Sequence, residues 1–312
     1  MLTSTVASAP APARVRATRP SYQAFAVSVA RVQHLSANFT RVTFTGPGLH
    51  EFGTAGLDQR IKIVLPLPGI GVSAFPQHDA WYEAWRDLPD ERRNPIRTYT
   101  VRHARPAHRE VDIDFVTHGD AGPASRWVRA AAVGDEVAIV GPLAGGDNPN
   151  VGIEWAPGAA NTVLIAGDET AAPAICSILS ALPRTARGCA YIEVPETDDI
   201  LETNAPDGVT VTWLPRNGAS HGSALETAVK GWTTRFITAH HSGADLPDVD
   251  VDEGILWEVP DGSALDGELY AWLAGEASVI KRMRRFLVSE VGIDRRQVAF
   301  MGYWRDGRAE HA

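Results

Sequence analysis

A chain of 312 residues that is 44% hydrophobic and 21% charged, with 29 basic against 38 acidic side chains and a net charge of -9, can bury two cores but lacks the cationic surface that nucleic acid demands of a main partner. Its two cysteines, Cys176 and Cys189, have no neighbour at redox or metal-ligand spacing and read as packing residues in a reducing compartment. The Ala/Pro/Arg-rich first twenty residues lack a signal-peptide core and no later run reaches membrane-span length, so the expectation is a cytoplasmic protein with a disordered arm over residues 1–20.

Val-, Phe- and Thr-rich stretches from Tyr22 to Ser36 and from Asn38 to Thr45 predict paired antiparallel strands, closed by the turn Gly46-Pro47-Gly48. Ile61 to Leu65 predicts a third strand, ended by Pro66. Lys62, flanked by apolar residues, is either a guard on a strand edge or a placed cation; as a lone residue the edge role leads. Residues 66–95 form an insertion whose Trp81, Tyr82 and Trp85 follow a short helical pattern, suited to core packing.

The stretch Arg97-Thr98-Tyr99-Thr100-Val101-Arg102 reads as a strand, with Arg97, Tyr99 and Val101 on one side and Thr98, Thr100 and Arg102 on the other. A tyrosine ring can stack on a flat isoalloxazine, an arginine fork suits phosphate, and Thr100 offers a hydroxyl and a backbone N–H. Taken alone, the stretch is first an ordinary strand with two surface arginines. Val111, Ile113 and Phe115 alternate with Asp112 and Asp114 in another strand, which runs through Thr117-His118-Gly119-Asp120 to Gly122-Pro123-Ala124-Ser125. Proline just inside a helix start leaves backbone N–H groups for an anion, although a plain loop-to-helix junction reads the same way. With Glu136 to Val140, about six strands and one helix make a small antiparallel barrel or sandwich.

Gly145-Gly146-Asp147-Asn148-Pro149 marks a break in composition. Beyond it, apolar strands at Thr162–Ala166, Cys189–Val194 and Val209–Leu214 alternate with a helix over Ala171–Leu182, the pattern of a helix-covered parallel sheet. The turn Gly167-Asp168-Glu169-Thr170 lies at a strand's carboxyl end, where such sheets bind nucleotides. The arrangement recurs near the end of the chain: strand Tyr270–Leu273, turn Ala274-Gly275-Glu276, then an amphipathic helix over Ser278–Val291. Its apolar stripe is Ile280, Met283, Leu287 and Val291, with Lys281, Arg282, Arg284 and Arg285 elsewhere. A strand from Gln297 to Met301 and the segment Gly302-Tyr303-Trp304-Arg305 follow.

From Tyr22 to Gly307 this ordered set resembles the siderophore-interacting protein family of flavin-dependent ferric-siderophore reductases. The stretches that carry it are Arg97 to Arg102, Asp114 to Gly119, Gly122 to Ser125, Gly167 to Thr170, Trp272-Leu273-Ala274-Gly275-Glu276 and Gly302 to Arg305. The resemblance implies a six-stranded antiparallel FAD-binding β-barrel over residues 21–147 and a parallel-sheet α/β nucleotide-binding domain over 148–312, arranged as in ferredoxin-NADP reductase. It implies FAD contacts at Arg97, Tyr99, Thr100, Asp114, Val116, His118, Gly122, Ala124, Ser125, Asp168 and Thr170. Candidates for NAD(P)H are Gly167, Glu169, Gly275, Glu276, Arg282 and Arg285, and a cationic floor for an anionic ferric siderophore would comprise Lys62, Arg129 and Arg305. NADPH, NADH or ferredoxin would supply electrons, in a monomer with no catalytic side chain and no resident metal. The rival expectations are a siderophore carrier without catalysis and a flavin reductase or oxidase with another acceptor. Neither the N-terminal arm nor the acidic stretch Asp245–Glu253 belongs to the family pattern.

Overall fold

The structure, a computed structural model, describes residues 19–53, 55–117, 122–240, 256–260 and 269–307, leaving aside the side chains of 237–240. The arm over 1–18, His118 and the acidic stretch 245–253 lie outside the described residues. The first half contains β1 (Tyr22–His34), β2 (Phe39–Thr45), β3 (Arg60–Val64), α1 (Trp81–Arg86), β4 (Ile96–Arg105), β5 (Glu110–Val116), α2 (Pro123–Ala130) and β6 (Glu136–Pro142). Its six strands close into an antiparallel barrel in the order β1-β2-β5-β4-β3-β6. Closure depends on the length of β1, which pairs with β6 through Tyr22–Ser28 and with β2 through Ser28–His34, bending at an irregularity between Val29 and Arg31. Alternate residues such as Phe25, Val27, Val42, Phe44, Ile61, Ile63, Ile113 and Ile139 fill the barrel, and Trp127 of α2 covers Phe44 and Phe115 at one end. The insertion packs outside on Val64, Ile96 and Val140 through Phe75 and Trp85, the core role expected of it, while Tyr82 stays exposed.

The second half contains β7 (Thr162–Gly167), α3 (Ala172–Ala181), β8 (Arg187–Val194), β9 (Val209–Pro215), α4 (Ser223–His240), β10 (Trp257–Glu258), β11 (Leu269–Glu276), α5 (Ala277–Arg284) and β12 (Val298–Trp304). Its sheet runs β10-β12-β11-β7-β8-β9. It is parallel except for β10, a two-residue antiparallel edge on β12 that the expected all-parallel sheet lacks. Along β7, Val163 and Ile165 face the α3 layer while Leu164 and Ala166 face α4 and α5, which explains the unbroken apolar run. The last helix is α-helical only to Arg284 and then widens into a π-turn over Arg285–Glu290. The extra residue in that turn lets Leu287 and Val288 both bury against the sheet. Among the described residues, no helix is long and apolar enough to cross a membrane.

The halves interlock. Helix α3 has its residues from Ala172 to Leu179 buried, with the sheet on one side and β4 on the other, where Ser177 Oγ donates to the Val101 carbonyl. Phe39, a barrel residue, belongs to the sheet's core. Asp58 of the barrel accepts from Trp272 Nε1 at 3.1 Å and from the backbone N–H groups of Glu154 and Trp155. Asp199 of the second half accepts from Ser36 Oγ at 2.5 Å, Asn38 N at 3.2 Å and Asn38 Nδ2 at 2.7 Å. Asp199 is fully buried, so Asp199→Ala strands several donors, and urea denaturation should show a loss of about 3 kcal/mol with an unchanged m-value.

Candidate functional site

A cleft of about 820 Å³ opens between the barrel and the carboxyl ends of the sheet. Its barrel wall carries Arg97, Tyr99 and Thr100 from β4 and Gly122, Ala124 and Ser125 from the start of α2. The Tyr99 ring rests on the buried Phe115, with centroids 4.4 Å apart and planes tilted by 49°, so its orientation is set from behind. At α2, Gly122 is extended, Pro123 occupies the first turn, and no side chain caps the helix; first-turn N–H groups therefore meet the cleft. Val116 also lines it. Asp114 does so too, but its carboxylate is fully engaged: Arg41 grips it through two bonds of 2.6 and 2.8 Å, and Arg102 Nε lies 3.7 Å away. Its charge therefore braces two arginines under β4. This wall can hold a flat ring against Tyr99 and a pyrophosphate between Arg97 and α2.

The second wall is cationic. Because β3 pairs with β4 on one side and β6 on the other, Lys62 does not guard a strand edge, and that reading is corrected. Its ammonium donates to Thr98 Oγ1 at 2.7 Å and faces the cleft. Arg60, two residues earlier on the same face, pairs with Glu154 and lies 4.4 Å over the Trp257 ring, which in turn stacks on Tyr303. Arg305 joins them at the cleft. Arg129 is exposed on the last turn of α2 and does not line it.

The third wall consists of Thr170, Pro173, His221, Trp304 and Asp306. Behind it is Asp168, which accepts from Thr170 N at 2.9 Å, Thr170 Oγ1 at 2.5 Å, Glu276 N at 2.7 Å and Trp304 Nε1 at 2.8 Å. Burial, followed by the nearby Glu169 charge, pushes its carboxyl up to about 7. Gly275 sits beside it at a φ of +150°, and a Cβ there would come within 2.6 Å of Asp168 Oδ2, so the β11 turn requires glycine. Glu276 caps α5 by accepting from Ser278 N and Val279 N. Burial would raise its carboxyl, but hydrogen bonds from Ser278 and Val279 hold it below the usual range.

Of the remaining nucleotide candidates, Gly167, Glu169, Gly275 and Glu276 lie behind this wall rather than on it, and Arg282 and Arg285 lie along the last helix away from the cleft. The first turn of α3 is occupied from within, since Ala171 N and Ala172 N donate to the Asp168 carbonyl. Those two N–H groups are therefore not available to a phosphate. Arg60, Trp257 and His221 are cleft residues that the sequence reading passed over. Arg60 was detectable as the same-face neighbour of Lys62, whereas His221 and Trp257 arrive from segments without a periodic signal. Among the described residues no group of three metal-capable side chains occurs.

Models of a siderophore-interacting FAD-binding domain and of a siderophore-interacting protein match residues 28–146 and 160–307 respectively. An uncharacterized protein of Mycobacterium tuberculosis is 32% identical over 91% of each chain. The ferric vibriobactin reductase ViuB of Vibrio cholerae is 29% identical, covering 90% of this chain and 89% of that one. The siderophore-interacting protein SipS from Aeromonas hydrophila superposes with a TM-score of 0.67 at 28% identity, covering 93% and 95% of the two chains. The ferredoxin-NADP+ reductase of Plasmodium falciparum shares the fold alone, at a TM-score of 0.55 and 12% identity over 88% and 94%.

Asp168 ties stability to pH. Its folded value of about 7 lies above the ordinary 3.8, so the folded state keeps a proton that the unfolded state loses. Its contribution is complete below about pH 4 and disappears as pH rises to about 7. Chemical denaturation across that window should give a falling stability in the wild type and a flatter profile in Asp168→Asn.

Proposed function

The chain belongs to the siderophore-interacting protein family, and on that premise we propose that it is a ferric-siderophore reductase. It would pass electrons from a reduced nicotinamide dinucleotide through FAD to chelated Fe(III) and release Fe(II) in the cytoplasm. The observation that carries this reading is that one cleft holds both the flavin wall and the cations Arg60, Lys62 and Arg305. The curated relative that acts on ferric vibriobactin supports the same acceptor class.

Arg97 and the N–H groups of α2 would hold the pyrophosphate, Tyr99 the ring, and Thr100 its edge. Bound FAD supplies the conversion between two-electron and one-electron chemistry, so one hydride reduces two ferric ions and releases one proton. Hard oxygen donors hold Fe(III) far more tightly than Fe(II), and reduction therefore frees the metal without breaking the chelator. The protein's part is placement and field. A chain of net charge -9 repels an anionic chelate at long range, so docking relies on cations at close quarters, where partial desolvation strengthens each contact and salt screens it less. Lys62 suits that role because its stem crosses an apolar wall and Thr98 fixes its ammonium.

An anaerobic spectral titration tests the reading. Yellow protein should bleach with reduced nicotinamide and recover on adding a ferric siderophore; a protein that cannot be loaded with flavin would instead be a carrier. Tyr99→Ala and Arg97→Ala should each purify with less flavin, and full occupancy in both would refute the assigned wall. Lys62→Ala should keep its flavin yet need about fivefold more anionic ferric siderophore for half-maximal reoxidation, equivalent to ~1 kcal/mol. Its rate should also depend less on salt than that of the wild type.

A further inference from the structure

The reaction proposed above releases one proton for each pair of ferric ions it reduces, and the cleft walls hold few groups able to accept it. Arg60, Lys62, Arg97 and Arg305 are cations, Asp114 is committed to Arg41 and Arg102, and Asp306 is exposed. Thr170 lies on the lining, with Asp168 buried directly behind it. The helix that follows Thr170 packs on β4, where Ser177 Oγ meets the Val101 carbonyl, so Thr170 shares one space with Tyr99 and Thr100.

The four bonds to Asp168 fix where a proton can sit. Oδ2 faces the hydrogens of Glu276 N at 2.7 Å and Trp304 Nε1 at 2.8 Å, and Oδ1 faces that of Thr170 N at 2.9 Å; these groups only donate. Thr170 Oγ1, 2.5 Å from Oδ1, is the one partner of the four that can also accept. A proton on Asp168 therefore sits on Oδ1 and points at Thr170 Oγ1, whose own hydrogen turns out to the cleft. Reversing that single hydrogen bond carries a proton from the cleft into the protein. The other titratable groups around Asp168 are Glu169 on its own turn, paired with Arg216 after β9, Tyr303 on β12, and His221 ahead of α4, which meets the Trp304 ring edge-on. The Glu276 carboxylate is turned away to Ser278 N and Val279 N. With its carboxyl at about 7, Asp168 exchanges a proton near neutral pH.

Resting on the flavin reading above, we propose that Asp168 and Thr170 form a proton relay for oxidation of the reduced cofactor. As two electrons leave for two ferric ions, the one proton released passes to Thr170 Oγ1 while the Thr170 hydroxyl hydrogen moves to Asp168 Oδ1. Two Fe(III) become two Fe(II), and the carboxylate holds the proton until it leaves through the same hydroxyl.

The test uses the flavin-loaded protein. Infrared titration of the resting protein from about pH 5 to about pH 9 should show a protonated-carboxyl band that fades across about 7 and is missing in Asp168→Asn. After anaerobic reduction, stopped-flow reoxidation by ferric vibriobactin should quicken about tenfold in the wild type as pH rises through that range. Asp168→Asn and Thr170→Val should be flat and about tenfold slower at the high end, and Thr170→Ser should restore the wild-type rate and profile to within about twofold. A wild type without this pH dependence, or a Thr170→Val protein that keeps it, overturns the relay. So does a carboxyl band unchanged by Asp168→Asn. A dependence that survives in Asp168→Asn and vanishes in His221→Gln gives the proton to His221 and overturns it too. Reduced flavin that neither ferric vibriobactin nor ferric citrate reoxidises at any pH overturns the reductase reading and the relay with it, a result told apart by the absence of any turnover.

Discussion

Everything in the cleft depends on a helix with no solvent side. An isolated helix needs only one apolar stripe, but α3, Ala-Pro-Ala-Ile-Cys-Ser-Ile-Leu, is apolar all round because the barrel strand β4 covers one face and the sheet the other. The strand that carries Arg97, Tyr99 and Thr100 is thereby fixed against the element that follows Asp168 and Thr170. The distance between the flavin wall and the sheet wall is set by side-chain packing, and the buried carboxylates Asp58 and Asp199 add direction to it. Such seams resist hinge motion, since opening would expose apolar surface and orphan several hydrogen bonds at once.

Charge is managed locally within an acidic chain. Asp114, Glu169 and Glu193 are buried, and each faces an arginine, so their fields largely cancel inside the protein. Arg60, Lys62, Arg97 and Arg305 meet at the cleft, where they form a cationic surface on a molecule of net charge -9. The contrast between the two halves gives the cleft direction: the barrel side presents cations to it, while the sheet half keeps its buried guanidinium groups, Arg216 and Arg284, paired with carboxylates.

Most of the fold was legible in the residues. Period-two alternation marked the barrel strands and continuous apolar runs marked the parallel ones, because each reflects burial on one face or two. The helix α4 and the strand β10 were not, since one lacks a clean stripe and the other is two residues long. Of the site, the β4 and α2 stretches stood out as motifs, but their residues became candidates only through the family resemblance, because alone they read as an ordinary strand and a plain helix start. The state of a charge could not be read at all. Asp114, Glu169 and Arg216 look alike in sequence whether free or paired, and only the folded chain brings Arg41 to Asp114 or Arg216 to Glu169 across 73 and 47 positions.

Phe39 belongs to β2 but completes the core of the sheet, together with Leu35, Leu57 and Val116 from the barrel. Synthesis runs from the amino end, so the barrel is made before the sheet that covers these side chains, whose core draws on strands as late as β11 and β12, an interval on the order of ten seconds or more at roughly 5–20 residues per second. The chain thus has a vulnerable interval written into its order of translation, one that a barrel with its core entirely its own would not have.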